Sequence, residues 1–478
     1  MTGMARPYDL VIIGLGAAGL TAARLAGQEL GLRVAAVERS AVGGDCLWSG
    51  CVPSKSLIAS ARAAHHARQA SALGLELDSN SINPSSVWQR ISTVRAEIAA
   101  AETAAEHVGD WGVDLFTGSA TVVGPRRVLI SSDDGQTEIE SRFILIATGS
   151  RPATPSIPGL SDVEFLTNES IFELSEPPRS VTILGAGPVG VETAQSLQRL
   201  GVMTTIIEAG PRILANEEPE LSDRLLGLLR AEGVTVHLGQ KVTAVHLGEN
   251  GSCVLETSDG EHHVDHLMVA AGRSSDVTGL GLERIGVLAT AAGVSVDARS
   301  RTLVPSVYAV GDAAAGRPRL TSTASADAAL AVRDMFLPGR AQATTLAPWC
   351  IFSEPELAHV GFTASQARDR FGDRSVHVHR LDLSRVTRAR VDAQPEGMVM
   401  LITVRGRIVG AHILAPHAGE VINELALAVR FSLGLDELAQ VPHVYPTISS
   451  ALTQLVDEQR HGRIKRFRQV AKIGRLTG

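Results

Sequence analysis

Cysteine is scarce in this chain, with four in 478 residues. That is too few for a disulfide scaffold, and in a reducing compartment a close pair points instead to catalysis or metal binding. Cys46 and Cys51 form the single close pair. Positive charge is also short: 44 Lys and Arg against 51 Asp and Glu leave a net charge of -7. This excludes the usual nucleic-acid binder, whose affinity comes from clustered basic side chains on phosphates. No stretch reaches the roughly 20 uninterrupted apolar residues of a membrane span. The apolar run Leu10 to Ala23 behind Arg6 imitates a secretion signal, but Gly14, Gly16 and Gly19 interrupt it. The sequence therefore reads as soluble and cytoplasmic. Only the tail is basic, with Arg460, Arg463, Lys465, Arg466, Arg468, Lys472 and Arg475 among Ile464, Phe467, Val470 and Ile473. It is read as a solvated helix packing on its own protein rather than as a helix lying on a membrane.

Glycine, by contrast, is plentiful at 46 residues, and the length suggests about three domains of roughly 150 residues. Tyr8 to Ile13 reads as an apolar strand, followed by Gly14-Leu15-Gly16-Ala17-Ala18-Gly19, a helical pattern from Leu20 to Leu30, and a second strand, Arg33 to Val37, ending in Glu38. Glycines in this order allow a tight turn and close approach of a pyrophosphate, the helix N-terminus offers free N–H groups, and the acid holds a ribose hydroxyl. The pattern recurs as the strand Val181 to Leu184, then Gly185, Gly187 and Gly190, a helix Val191 to Leu200, and Thr204 to Ile207 leading to Glu208. Two fingerprints imply two dinucleotides, one flavin and one nicotinamide. Ile144 to Gly149 closes another strand, and Val307 to Ala313 reads as strand, tight turn and helix start, with Asp312 placed to bind a polyol hydroxyl.

Gly43-Gly44-Asp45-Cys46-Leu47-Trp48-Ser49-Gly50-Cys51-Val52-Pro53-Ser54-Lys55 precedes an alanine-rich helical pattern from Leu57 to Ala70. Both sulfurs are expected near a helix N-terminus, where the dipole and Lys55 stabilise a thiolate. Four intervening residues let the chain fold back to disulfide distance. His65 and His66 are adjacent on a helix and point apart, so no set of metal ligands is read from the sequence. Cys253 and Cys350 are expected to be buried small apolar residues.

Taken together, the double fingerprint with an interposed CxxxxC resembles the pyridine nucleotide-disulfide oxidoreductases. The resemblance rests on Gly14 to Gly19 with Glu38, Cys46 to Lys55, Ala147-Thr148-Gly149, Gly185 to Gly190 with Glu208, Ala271-Gly272-Arg273 and Tyr308 to Ala313. It implies an α/β fold with two Rossmann-like domains and a C-terminal α+β dimerisation domain. The implied boundaries are residues 1–155 with 276–345 for FAD, 156–275 for NAD(P), and 346–478 for the interface. It further implies FAD at the first fingerprint, with Glu38 on the ribose, Asp312 on the ribityl chain, and Gly44, Thr148, Gly149, Gly272, Arg273 and Gly311 in the cofactor motifs. In such a family Cys51 lies against the flavin, Cys46 is the thiol offered to substrate, and Lys55 and Glu192 form an ion pair beside the flavin. Glu208 favours NADH because a carboxylate repels a 2'-phosphate, while Arg212 leaves NADPH as the alternative. The resemblance also implies a homodimer whose active sites borrow a residue from the partner.

The pattern breaks near the C-terminus. Disulfide-reducing members carry His-Pro-Thr followed by a glutamate, whereas this chain has Tyr445-Pro446-Thr447 with Ser450 at the glutamate's place. Tyrosine, with a pKa near 10, is a poor proton carrier at neutral pH compared with imidazole. His443 stands two residues early and is a candidate substitute, its other role being to orient the loop. Tyrosine at this position resembles the mercuric reductases, and the chain as a whole resembles the mercuric-reductase-like and dihydrolipoyl dehydrogenase-like bacterial group, yet no cysteine follows Cys350 to deliver a metal. The expected activity is NAD(P)H-driven reduction of a small acceptor: a metal ion, quinone or reactive oxidant. Dihydrolipoyl dehydrogenase is the alternative, and a flavin-binding redox sensor without turnover is a third reading.

Overall fold

The computed structural model describes residues 6–76, 83–102, 105–248, 252–339 and 346–466. The side chains of the basic tail lie outside the described residues. By internal contacts the chain divides into two compact units. One comprises Met1–Ser60, Asn83–Gly185 and Val242–Thr345, and the other Ala61–Ile82, Ala186–Lys241 and Leu346–Gly478.

The first unit is built on a parallel sheet because its strands are continuous apolar runs buried on both faces. Tyr8–Ile13 pairs with Val34–Glu38 on one side and Gly135–Ile146 on the other. Val113–Thr117 and Val307–Ala309 complete the two flanks. Side chains alternate between two cores: Leu10 and Ile12 pack with Ala22, Leu145 and Ala328, while Val11 and Ile13 pack with Val37, Ile144 and Val307. Helices Ala17–Ala23 and Thr321–Phe336 cover the first of these faces. Ser119–Gly124 and Arg127–Ser132 extend the sheet as an antiparallel hairpin onto Gly135–Ile146. Also in this unit, Ser180–Leu184 pairs in parallel with Leu267–Val269.

The second unit contains the parallel pair Met203–Glu208 and Thr235–Leu238 with helices Pro188–Arg199 and Pro219–Ala231. Its largest element is a five-stranded antiparallel sheet in the order Trp349–Ile351, Glu356–Gly361, Arg407–Ala415, Met398–Val404 and Val376–Asp382. Helices Ala418–Arg430 and Ser450–Arg466 pack on it through Val421, Ile422, Leu425, Leu452 and Leu455. Among the described residues no helix is long and apolar enough to cross a membrane.

Four local expectations are corrected. The long helix after the cysteines starts at Cys51 and ends at Arg68, six residues ahead of the expected start, because Pro53 is tolerated in a first turn. Cys46 lies in a separate short helix, Gly44–Trp48, and not at that N-terminus. After Val307–Ala309 and the turn Gly311–Ala313, the next helix begins only at Thr321. Cys253 is buried as expected, but Cys350 is half-buried, with its Sγ facing the Glu356 carboxylate.

Candidate active site

The first glycine turn is held open by contacts that leave no room for a side chain. Gly14 has φ +94°, and a Cβ there would sit 2.6 Å from the carbonyl oxygen of Ala147. A Cβ on Gly19 would overlap the Gly14 carbonyl, and one on Gly44 would lie 2.7 Å from the Gly16 Cα. Gly16 caps the helix Ala17–Ala23. Glu38 clasps the turn from the end of the next strand: its Oε2 accepts from Leu15 N–H at 2.8 Å and its Oε1 from Ser40 N–H at 2.9 Å. The second fingerprint repeats the device, with Glu208 accepting from Ala186 N–H and Gly210 N–H, each at 2.7 Å. Gly187 caps its helix, whose first residue is Pro188. Gly185, at φ +110°, would place a Cβ 2.6 Å from the Ala270 carbonyl, and Gly190 is buried in the helix. The Arg212 side chain donates to the Ala215 carbonyl at 2.9 Å.

Beside the first turn lies a cavity of about 730 Å³ lined by Gly14, Gly16, Glu38, Gly44, Thr148 and Gly149, among others. The Thr148 Oγ1 is buried there without a hydrogen-bond partner. A polar chain crosses nearby. Arg273 donates to Asp45 at 2.7 Å and to Ser150 Oγ at 2.8 Å, and Ser150 Oγ donates to Asp312 at 2.6 Å. Gly272 and Gly311 have positive φ at the turns on either side of this chain. Ser150 and Thr321 carry no motif and escaped the sequence reading.

Thr321 matters because its hydroxyl lies 3.6 Å from Cys46 Sγ and 3.7 Å from Cys51 Sγ. Both cysteines are free thiols here, Cys46 half-buried and Cys51 open to the surface. The pair shares its proton unequally. A hydrogen bond from Cys46 lowers the Cys51 pKa to about 6, with help from Thr321 and the Lys55 charge and against burial. The same hydrogen bond, with burial, raises that of Cys46. The arrangement is a reduced pair in which Cys51 is the thiolate and Cys46 keeps the proton.

In the second unit Glu192 is buried on the helix Pro188–Arg199, and its Oε1 accepts from Phe352 N–H at 2.8 Å. Tyr445 is 70% exposed, and its hydroxyl donates to Thr387 Oγ1 at 3.2 Å. The His443 side chain is buried and engaged at both nitrogens: Nε2 lies 2.9 Å from Glu424, and Nδ1 lies 2.8 Å from Thr453 Oγ1 and 3.0 Å from the Val441 carbonyl. Ser450 donates to the Thr447 carbonyl at 2.6 Å, inside its own turn.

Residues 8–328 match the family described as pyridine nucleotide-disulphide oxidoreductase, and residues 347–456 match the dimerisation domain of that family. The chain is a pyridine nucleotide-disulphide oxidoreductase. This oxidoreductase is 37% identical over 455 residues to the mercuric reductase of Streptomyces lividans, covering 93% of this chain and 94% of that one. It is 33% identical over 470 residues to the dihydrolipoyl dehydrogenase of Bacillus subtilis (94% and 97%). In structure it resembles the HOCl-induced flavoprotein disulfide reductase RclA from Escherichia coli, solved as a Cu(II) complex. The TM-score is 0.84 at 27% identity, covering 95% of this chain and 99% of that one. The oxidoreductase is therefore an enzyme of the flavoprotein disulfide reductase type, in a family that depends on FAD and NAD(P)H.

Proposed function

We propose that this oxidoreductase is a cytoplasmic homodimer that takes electrons from NADH and passes them through Cys46 and Cys51 to a small electrophilic acceptor: a soft metal ion, a quinone or a reactive oxidant. The observation that carries this reading is the state of the C-terminal residues. An exposed phenol, Tyr445, stands where a disulfide-reducing site needs a proton carrier, and the nearby imidazole of His443 is fully engaged by Glu424, Thr453 and Val441. A disulfide substrate needs a proton at its leaving sulfur; a metal ion taking electrons from a thiolate does not, and a quinone can take its protons from water. Two relatives agree in kind, one named for mercuric ion and the other for induction by HOCl.

In this reading residues 1–155 and 276–345 hold FAD, 156–275 the nicotinamide nucleotide, and 346–478 the partner subunit. The first cavity fits FAD: a Cβ on Gly14, Gly19 or Gly44 would collide with the backbone that shapes the glycine turn, and the unpartnered Thr148 hydroxyl offers a bond to a polar ligand. Glu38, Gly149 and Asp312 complete the holding set. When bound, FAD supplies the two-electron link between nicotinamide and disulfide. The chain's own part is to hold Cys51 ionised through the Cys46 thiol, Thr321 and Lys55. As Cys46 and Cys51 form their S–S bond, two electrons go to the acceptor, and the Cys46 proton leaves to solvent or acceptor. Gly187, Gly190 and Glu208 bind the nicotinamide nucleotide, with the Glu208 carboxylate setting the preference for NADH.

The test is anaerobic NADH oxidation by the FAD-loaded protein with oxidised lipoamide, a quinone and thiol-complexed Hg(II) in parallel. Turnover with quinone or Hg(II) and near-inert lipoamide is the expected result. Fastest turnover with lipoamide would overturn the reading in favour of dihydrolipoyl dehydrogenase.

A further inference from the structure

Three side chains outside the fingerprints and the cysteine segment meet in the second unit. Trp349, His359 and His412 stand opposite one another on three neighbouring strands, since Trp349 pairs with His359 and His359 with His412. Side chains directly opposite on adjacent strands share a face, and here the rings meet at tilts of 37° and 59°, with centroids 4.0 Å and 4.2 Å apart. Glu217 reaches them from the turn ahead of helix Pro219–Ala231. Glu217, His359 and His412 are 5%, 2% and 0% exposed, so bulk solvent does not reach them.

The hydrogen bonds fix what each atom presents. His359 Nε2 lies 2.9 Å from the Gly361 carbonyl and His412 Nε2 lies 3.1 Å from the Phe362 carbonyl. Carbonyl oxygens only accept, so both Nε2 atoms carry hydrogen. Trp349 Nε1 donates to Glu217 Oε1 at 2.7 Å, which fixes the carboxylate. What remains is His359 Nδ1 facing Glu217 Oε2 at 3.0 Å, and His412 Nδ1, buried with no partner at all. One ligand atom from each of the three residues lies within 4.8 Å of the others. A proton between His359 and Glu217 would satisfy two of these atoms and strand the third. A metal ion satisfies all three.

We propose that Glu217, His359 and His412 form a site for a divalent transition-metal ion, of which zinc is the expected occupant, with one water molecule as the fourth ligand. Two imidazoles and one carboxylate suit zinc and its neighbours and do not suit magnesium or calcium, which take oxygen ligands. The supporting bonds are those that metal-bound imidazoles make, each ring donating its other N–H to a backbone carbonyl. Ligands about 2.1 Å from a zinc ion stand about 3.4 Å from one another, so binding draws together atoms that here lie within 4.8 Å. The ion ties the Glu217 turn to the middle of the five-stranded sheet.

The experiment uses the full-length chain carrying Cys46→Ser and Cys51→Ser, so that the redox pair holds none of the metal. Zinc content is measured after gel filtration, and thermal unfolding is followed before and after EDTA and on adding zinc back. About one zinc per chain and a melting temperature that EDTA lowers and zinc restores are expected. Glu217→Gln and His412→Gln should each lose both properties. Should those core variants fail to fold, cobalt(II) added to the EDTA-treated parent decides: a visible spectrum of nitrogen and oxygen ligation, displaced by zinc, is expected. A parent that retains no zinc, melts independently of it and gives no cobalt spectrum overturns the site, as does a folded His412→Gln that keeps its zinc.

Discussion

His443 Nε2 lies 2.9 Å from Glu424 Oε1, within one unit and with the imidazole buried. The pair has the composition of a proton-shuttling dyad, but Thr453 and the Val441 carbonyl occupy the other ring nitrogen. His443→Asn is expected to cost about 1–3 kcal/mol in stability, the range for stripping a partner from a buried hydrogen-bonded group. Chemical denaturation measures this. A kcat loss of about 100-fold or more with the preferred acceptor would instead mark a true acid–base role.

The proton balance between the cysteines gives a directional test. Cys51 should titrate near pH 6 in the reduced protein, protonated below and ionised above, because Cys46 donates to it. In Cys46→Ala the donor is gone, so the titration is expected to move upward toward the ordinary thiol range, and Thr321→Val should move it the same way by less. Ultraviolet thiolate absorbance against pH reads both shifts. A Cys51 titration unmoved in Cys46→Ala contradicts the hydrogen bond as its cause.

Thr148 separates binding from stability. Its hydroxyl makes no hydrogen bond within the protein, so Thr148→Val should leave the flavin-free protein within about 0.5 kcal/mol of its parent. Flavin affinity is expected to fall about 2- to 10-fold, the equivalent of one hydrogen bond. Flavin fluorescence titration and thermal melts give the two numbers independently.

Glu208 is expected to set coenzyme choice. Glu208→Gln keeps an oxygen for the Ala186 or Gly210 amide while removing the negative charge. The kcat/KM ratio of NADPH to NADH should rise about tenfold, corresponding to 1.4 kcal/mol in the transition state. A ratio that stays fixed would assign selectivity to other residues.

Much of the nucleotide-binding framework was legible because its signals are local. The strand expected at Tyr8 to Ile13 is the strand found, and those expected from Arg33, Val181 and Thr204 differ by one residue at their starts. Apolar runs, glycine turns and a terminal acid sit within some 30 residues of each other. The rest depends on residues that only tertiary structure brings together. Thr321 is far in sequence from both sulfurs it touches, and Glu424 has no motif linking it to His443. Glu217, His359 and His412 come from a turn and two strands whose separations in sequence resemble no metal motif. Pro53 disguised the start of the long helix, since proline reads as a breaker everywhere except in a first turn.

The strand Val307–Ala309 is laid against Ile144, Leu145 and Ile146, its neighbours in the finished sheet, only after the chain between Ile146 and Val307 has been made. During synthesis at about 5–20 residues per second, the edge at Ile144–Ile146 therefore stays unpaired for on the order of ten seconds or more. In that interval it is a bare strand edge open to other chains. Slow translation or high expression of this protein should thus raise its demand for chaperones at a late point on the ribosome, when the first glycine turn is already long complete.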